Sequence, residues 1–274
     1  MRDAGACRAW HGPISMKGSI GALHIERRGR IALLILDNQS KGNAISQAML
    51  VDFGNATTEI DNDRELRAAI LTGAGARAFC TGADISAWSG MDAIDFARRW
   101  IRAGHLQFDR FARLSIPTIA AINGAAFGGG LELAALCDVR VASPDAIFAL
   151  PEASIGVTPG WSGAQRLGRL LPQALLREMA LTGGRLSAER LREVGFINEI
   201  SSDPLARALE IAERAAALAP RAVETTRLVL NAAIGEGREA AVDALAGGLV
   251  ASTADKAEGV ASFREKRRPD FRGE

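Results

Sequence analysis

The sequence predicts an α/β (α+β) fold in which strand-strand-helix units give way to a helical C-terminal region. Three observations carry this. Short apolar runs suited to burial, Ile31–Leu36, Arg67–Leu71 and Pro117–Ile122, each end in a polar or glycine-bearing turn. Residues that cap or open helices follow several of these runs, as Ser46 does the first. From Asp203-Pro204 onward the chain becomes Ala-rich and loses every strand pattern.

Taken in order, Gly21–Glu26 and Ile31–Leu36 read as two strands around the turn Arg27–Arg30. Asp37–Asn43 is a polar loop, and Ser46 caps a helix running to about Ile60. Arg67–Leu71 forms the next buried strand, followed by Thr72-Gly-Ala-Gly75 and the segment AFCTGADI, Ala78 to Ile85. There Asp84 is placed to cap a short helix. The functional alternative is that Gly82 leaves room for the Ala83 N–H to face a ligand. Ala93–Leu114 has apolar residues near helical spacing, and His105 within it, with no nucleophile or carboxylate signature around it, reads as a packed or surface residue. Pro172 opens a helix to about Leu181, Gly183-Gly184 ends it, Ser187 begins another, and Phe196–Ile200 is a last short strand. Helical segments near Asp203–Ala217, Arg221–Ile234, Glu239–Leu249 and Ala254–Lys266 then make a layer able to pack against a partner subunit.

The stretch Ile119–Leu167 holds the candidate chemistry. After the buried strand comes the turn Gly128–Gly130, then a helix beginning near Leu131 that carries Glu132, then Glu152 in a Pro-Glu-Ala-Ser-Ile-Gly loop. Backbone N–H groups at such a turn lack partners and can hold a developing oxyanion. Alone, the glycines simply allow positive φ or close packing, and Glu132 is an acidic residue favoured by a helix dipole. A glycine turn with two carboxylates after it and a second glycine loop upstream points to acid/base chemistry.

Composition removes other classes. Of 274 residues, 48% are hydrophobic and 24% charged, as in a globular protein, and 33 Lys and Arg against 32 Asp and Glu give a formal charge of +1. Nothing in that balance demands nucleic acid or an anionic membrane. Arg264, Lys266, Arg267 and Arg268, broken by Glu265 and followed by Asp270, read as a solvated helix end or a phosphate contact, and no nucleic acid is expected. Cys7, Cys80 and Cys137 have no metal-type spacing and are too few for a disulfide framework, so no metal site is expected and a reducing, cytoplasmic setting fits. No apolar run approaches the ~20 residues that span a bilayer. Residues 1–15 lack the core of a secretory signal and are expected to be disordered, with Met16 the natural start and Trp10 and His11 incidental.

Several motifs then agree. AFCTGADI, IAAINGAAFGGGLELAALCDVRVAS, FALPEASIGVTPGWSGAQRL, LTGGRLSAERLREVGFINEI and the closing FREKRRPDF, in that order and spacing, resemble the crotonase family, the enoyl-CoA hydratase/isomerase superfamily, from roughly Ile20 to Phe271. The resemblance implies a crotonase-like spiral core over residues 16–202, with the active site, and a C-terminal trimerisation region over 203–274, assembled as a trimer or a dimer of trimers. It implies an acyl-CoA thioester substrate and no separate cofactor, coenzyme A being part of the substrate. Carried over by motif, the oxyanion-hole N–H groups are those of Ala83 and Gly129, and the catalytic pair is Glu132, mainly for water activation, and Glu152, for proton transfer at the α-carbon. The coenzyme A portion is expected along Ala83, Asp84, Ile85 and Ser86. Phe263 and Lys266, from this or a neighbouring subunit, are expected near the adenine and phosphates.

Two positions depart from the family pattern. Many members have lysine where this chain has Ser86, which leaves one phosphate contact without its usual residue. A small residue often stands where this chain has Trp161, on a loop bordering the acyl site. Trp161 packs either outward or between subunits, or else faces the pocket, where it would shape it for a particular acyl group. The pair of glutamates favours a 2-enoyl-CoA hydratase, with a Δ3-Δ2-enoyl-CoA isomerase or a specialised hydroxyacyl-CoA dehydratase as the alternative.

Overall fold

A computed structural model describes residues 21–274. The expected disordered segment 1–15, the start at Met16, and Cys7, Trp10 and His11 lie outside the described residues. The chain opens with β1 (Ala22–Arg28) and β2 (Ile31–Asp37), antiparallel around a turn at Gly29. Then α1 (Gln47–Asn62) starts where the Ser46 hydroxyl accepts the Met49 N–H, the cap that its residue type predicts. β3 (Ala68–Gly73) and β4 (Ala78–Cys80) follow. The amphipathic segment after them is α2 (Ala93–Asp95), a π-helical turn at Phe96–Ile101, and α3 (Arg102–Ala112). β5 (Thr118–Ile122) and β6 (Ala125–Phe127) lead into α4 (Gly129–Ala134), which begins at the second glycine of the turn rather than at Leu131. β7 (Val139–Ala142) and β8 (Ile147–Ala149) precede α5 (Gly163–Leu170) and α6 (Gln173–Thr182), the latter ended by Gly183 in a left-handed conformation. β9 (Arg185–Ser187), α7 (Ala188–Glu193), β10 (Glu199–Ile200) and α8 (Pro204–Ala216) complete this part.

The strand-strand-helix repeat is explicit in the pairing. One sheet runs β1-β2-β3-β5-β7-β10, parallel beyond β2, and the other runs β4-β6-β8-β9. The successive pairs β3/β4, β5/β6 and β7/β8 therefore each place one strand in each sheet, turning a corner between them. Two asparagines hold the β3/β4 corner: Asn43 donates to the carbonyls of Ala74 (2.9 Å) and Ala78 (2.7 Å), and Asn123 to those of Gly73 (2.9 Å) and Gly75 (2.6 Å). A carboxamide satisfies carbonyls that a turning strand leaves without ladder partners.

Both faces of the larger sheet are covered, which is why its strands are continuous apolar runs. Alternate residues Ile31, Leu33, Ile70, Ile119 and Val141 face Ala208 and Ala212 of α8. Leu34, Leu36, Leu71 and Ile122 face the main core with Phe53, Phe108 and Phe111. The composition changes at Asp203, but α8 belongs with the sheet, and the chain divides into two units after Leu218.

The second unit, Ala219–Glu274, holds α9 (Pro220–Ala233), α10 (Arg238–Ala251) and α11 (Ala254–Glu265). Arg267 pairs with Glu258, and Asp255 accepts the N–H groups of Arg272 and Gly273, tying down the last residues. Val229, Leu230, Ile234, Val242, Leu249 and Val250 are exposed on these helices or at their ends.

Candidate active site

Two glycine turns meet behind the cavity. After β4, Gly82 has φ +98°, and a Cβ there would stand 3.0 Å from the Phe127 carbonyl oxygen and 3.2 Å from the Gly129 nitrogen. Only glycine allows that approach. Ala83 makes a single parallel bridge to Ile45: the Ile45 N–H donates to the Gly82 carbonyl (2.8 Å) and the Asp84 N–H to the Ile45 carbonyl (2.9 Å). In this pattern the bonds go to the residues flanking Ala83, so its own N–H points away from Ile45. Gly129 is the first residue of α4, whose first-turn N–H groups have no acceptor within the helix. A Cβ at Gly130 would collide with the Cys80 carbonyl, so the glycine run seats α4 directly against the end of β4. Ala83 and Gly129 line one cavity.

Glu132 and Glu152 line the same cavity. Glu132 is 2% exposed, and its Oε1 accepts the N–H of Gly163 (2.8 Å) and of Trp161 (3.1 Å). Those two N–H groups converge because Ser162 between them has φ +70°, a nest-like arrangement that suits an anion. The buried Arg166 guanidinium holds the loop, bonding the Ser162 hydroxyl and Asp109 Oδ1 (2.9 Å). Burial pushes the Glu132 carboxyl up to about 7, with the nearby Glu152 adding to the rise and the two N–H donors and Arg166 opposing it. Glu152, 9% exposed, sits in a short helical turn after β8, and its buried Oε2 meets no partner among the described residues. Burial raises its proton affinity as well. Both carboxyls therefore hold a proton more tightly than a free glutamate, and the two backbone N–H groups at Glu132 are placed to hold it when it ionises.

The rest of the cavity is mainly apolar, with Trp88, Phe96, Trp100, Ile101, Ile155 and Trp161 among its lining beside the hydroxyl residues Thr81, Ser154 and Thr158. Phe96, Trp100 and Ile101 all come from the π-helical turn, which the near-helical spacing of the sequence did not distinguish from ordinary helix. Trp161 turns inward and is 2% exposed.

The remaining expected residues are placed as follows. Asp84 caps the turn Ile85–Ala87 by accepting the Ser86 N–H (3.1 Å), and Ile85 lines the cavity. Ser86 does not stand without a cation: Lys41 Nζ lies 2.8 Å from its hydroxyl and 2.7 Å from Asp84 Oδ2. Lys41 escaped the sequence reading because it belongs to a polar loop distant in the chain, as did the backbone donors of Trp161 and Gly163. Phe263 and Lys266 lie on and just beyond α11 in the second unit, Phe263 86% exposed. Among the described residues there is no cluster of three or more side chains suited to a metal, and no helix long and apolar enough to cross a membrane.

Known proteins agree with this architecture. The sequence model of the enoyl-CoA hydratase/isomerase family matches residues 26–274. A short-chain-enoyl-CoA hydratase of Clostridium acetobutylicum is 35% identical over 252 residues, 89% of this chain and 95% of that protein. A carnitinyl-CoA dehydratase of Proteus mirabilis is 36% identical over 260 residues, covering 92% of this chain and 98% of that one. The crystal structure of an enoyl-CoA hydratase from Bacillus anthracis superposes with a TM-score of 0.74 at 32% identity, over 92% of this chain and 99% of that one. Likeness of this degree over nearly whole chains, added to the two glycine turns and the paired glutamates, means that the chain belongs to the enoyl-CoA hydratase/isomerase family of enzymes, the crotonases.

Proposed function

We propose that this protein is a 2-enoyl-CoA hydratase that adds water reversibly to give a 3-hydroxyacyl-CoA. The observation that carries the reading is the pair of buried carboxylates, Glu132 and Glu152, in one mainly apolar cavity that Ala83 and Gly129 also line, and we assign the oxyanion hole to the N–H groups of those two residues. The thioester oxygen sits between those N–H groups, which stabilise it as it gains charge. Losing one donor of this kind costs about 3–4 kcal/mol of barrier. Ionised Glu132 takes a proton from water as the water oxygen bonds to the β-carbon, and the double-bond electrons move onto the thioester as an enolate. Protonated Glu152 then gives its proton to the α-carbon and the carbonyl re-forms. One proton enters Glu132 and one leaves Glu152, so transfer between the paired carboxylates resets the site. The step moves no electrons to or from a redox group, and the coenzyme A belongs to the substrate.

A specialised hydroxyacyl-CoA dehydratase is the second reading, favoured by the 36% identity to a carnitinyl-CoA dehydratase. A Δ3-Δ2 isomerase is less well supported, since one carboxylate suffices for it. Asp84, Ile85, Ser86 and Lys41 are proposed to border the coenzyme A. Phe263 and Lys266 are proposed to reach its adenine and phosphates from this or a neighbouring subunit. The exposed apolar residues of α9 and α10 support a trimer or a dimer of trimers, and the buried thiols Cys80 and Cys137 support a reducing, cytoplasmic setting. Nucleic acid is not a proposed partner, as Arg267 in the basic cluster is committed to Glu258 and Glu265.

The test is loss of the conjugated-thioester absorbance with crotonyl-CoA. Glu132→Gln and Glu152→Gln should each slow it about 10²–10⁴-fold, the usual worth of a general acid or base. Wild-type turnover that either variant retains would overturn the two-carboxylate mechanism.

A further inference from the structure

The inner wall of the cavity is a block of aromatic rings. Trp100 and Trp161 line it, although they are only 1% and 2% exposed. Their ring centroids are 5.0 Å apart, and Phe108 meets Trp161 edge-on at 5.2 Å. The indole of Trp161 is held by backbone at both edges. A Cβ added to Gly104 of α3 would collide with its Nε1, Cε2 and Cδ1, and a Cβ added to Gly129 would stand 3.2 Å from its Cε3. Its benzo edge therefore lies against the turn that carries the Gly129 N–H, and its pyrrole edge against α3. Nε1 has no hydrogen-bond partner among the described residues, so shape and not a polar contact holds the ring. With Phe108 and Trp100 packed against it, the ring has no free rotamer to retreat into.

The space left is small. The cavity has a volume of about 200 Å³, and an apolar cavity of about 150 Å³ is filled by benzene. The charged side chains lining it are the two glutamates. A charged acyl terminus would find no compensating partner there.

We propose that Trp161, backed by Trp100 and Phe108, is the stop for the acyl chain and makes this protein selective for short, uncharged, apolar acyl groups of about four to six carbons. The proposal rests on the enoyl-CoA reading given above. Removing the indole would leave a void between Gly104, Phe108 and Trp100 that a longer chain can fill, recovering part of the cost of that void. The backbone N–H of Trp161 on Glu132 is kept in any substitution except proline, so acyl length and water activation separate.

The experiment compares kcat/KM for trans-2-butenoyl-, hexenoyl-, octenoyl-, decenoyl- and dodecenoyl-CoA in wild type, Trp161→Leu and Trp161→Phe. Each methylene in a fitted pocket is worth about tenfold or more, so wild type should lose at least about 100-fold between butenoyl- and decenoyl-CoA. Trp161→Leu should raise the decenoyl-to-butenoyl ratio of kcat/KM by about tenfold or more, whatever the change in butenoyl turnover itself, with a far-UV circular dichroism spectrum like that of wild type reporting an intact fold. If the leucine variant does not fold, Trp161→Phe should extend the profile to hexenoyl- and octenoyl-CoA. Wild type that hydrates decenoyl-CoA as well as butenoyl-CoA, or a folded variant with an unchanged profile, overturns the proposal. Binding of the saturated butanoyl- and decanoyl-CoA by calorimetry separates the two readings. A site that binds only the shorter thioester but hydrates no enoyl-CoA keeps the acyl stop and sinks the hydratase.

Discussion

Glu132 concentrates the energetic conflict of this site at one residue. It is buried, so its ionised form is costly, yet its proposed work needs that form. Its carboxyl is pushed up to about 7 from an ordinary value of 4.5. The folded protein therefore binds this proton more tightly than the unfolded chain does. The stability contribution is fully present below pH 4.5 and is lost as pH rises through about 7. The ceiling on that loss is about 3 kcal/mol, at about 1.36 kcal/mol per unit. Urea unfolding midpoints measured from pH 4.5 to 8.5 should fall more steeply for wild type than for Glu132→Gln, which has no proton to lose there. Parallel curves would mean that Glu132 titrates normally. Activity should run the opposite way, with kcat/KM for crotonyl-CoA falling as Glu132 protonates below about pH 7.

Among the elements, the loop Trp161-Ser-Gly163 and the start of α4 make a single device. α4 carries Glu132, and the loop aims two N–H groups at it only because Ser162 is held in the left-handed region, where a non-glycine residue is uncommon. Arg166 supplies the hold, through the Ser162 hydroxyl and Asp109. Arg166→Met should loosen the loop, remove a nearby positive charge, and raise the proton affinity of Glu132. The acid limb of the kcat/KM profile should then move to higher pH, with turnover down about 10²-fold from misplacement of the carboxylate. A uniform loss of activity with an unmoved acid limb would assign Arg166 to packing alone. The π-helical turn is the matching device on another element, bringing Phe96, Trp100 and Ile101 to one cavity.

Across the molecule, the large sheet depends on cover at both faces. Ala208 and Ala212 of α8 are fully buried against Leu33 and Ile70 of the sheet, and small side chains set how closely the helix lies. Ala208→Leu should cost about 1–3 kcal/mol by overpacking, read as a lower urea midpoint with crotonyl-CoA turnover preserved under native conditions. An unchanged midpoint would show that α8 is not tightly seated.

Local pattern in the chain is enough for the long elements and the chemistry-bearing residues. The continuous apolar runs of β2, β3 and β5 are legible because a strand buried on both faces needs no alternation, and the Ser46 cap because its hydroxyl acts on the next turn of its own helix. The glycine turn and both glutamates are also local patterns. The three-residue strands β4, β6, β8 and β9 are too short to show any period, so only their pairing in a second sheet defines them. It takes the folded chain to turn Trp161 inward, to stand Lys41 beside Ser86, and to bring the N–H groups of Trp161 and Gly163 to Glu132. Each of these is a contact between residues far apart in the chain. Local propensity carries no information about such contacts, and the packing of the corners between the two sheets creates them.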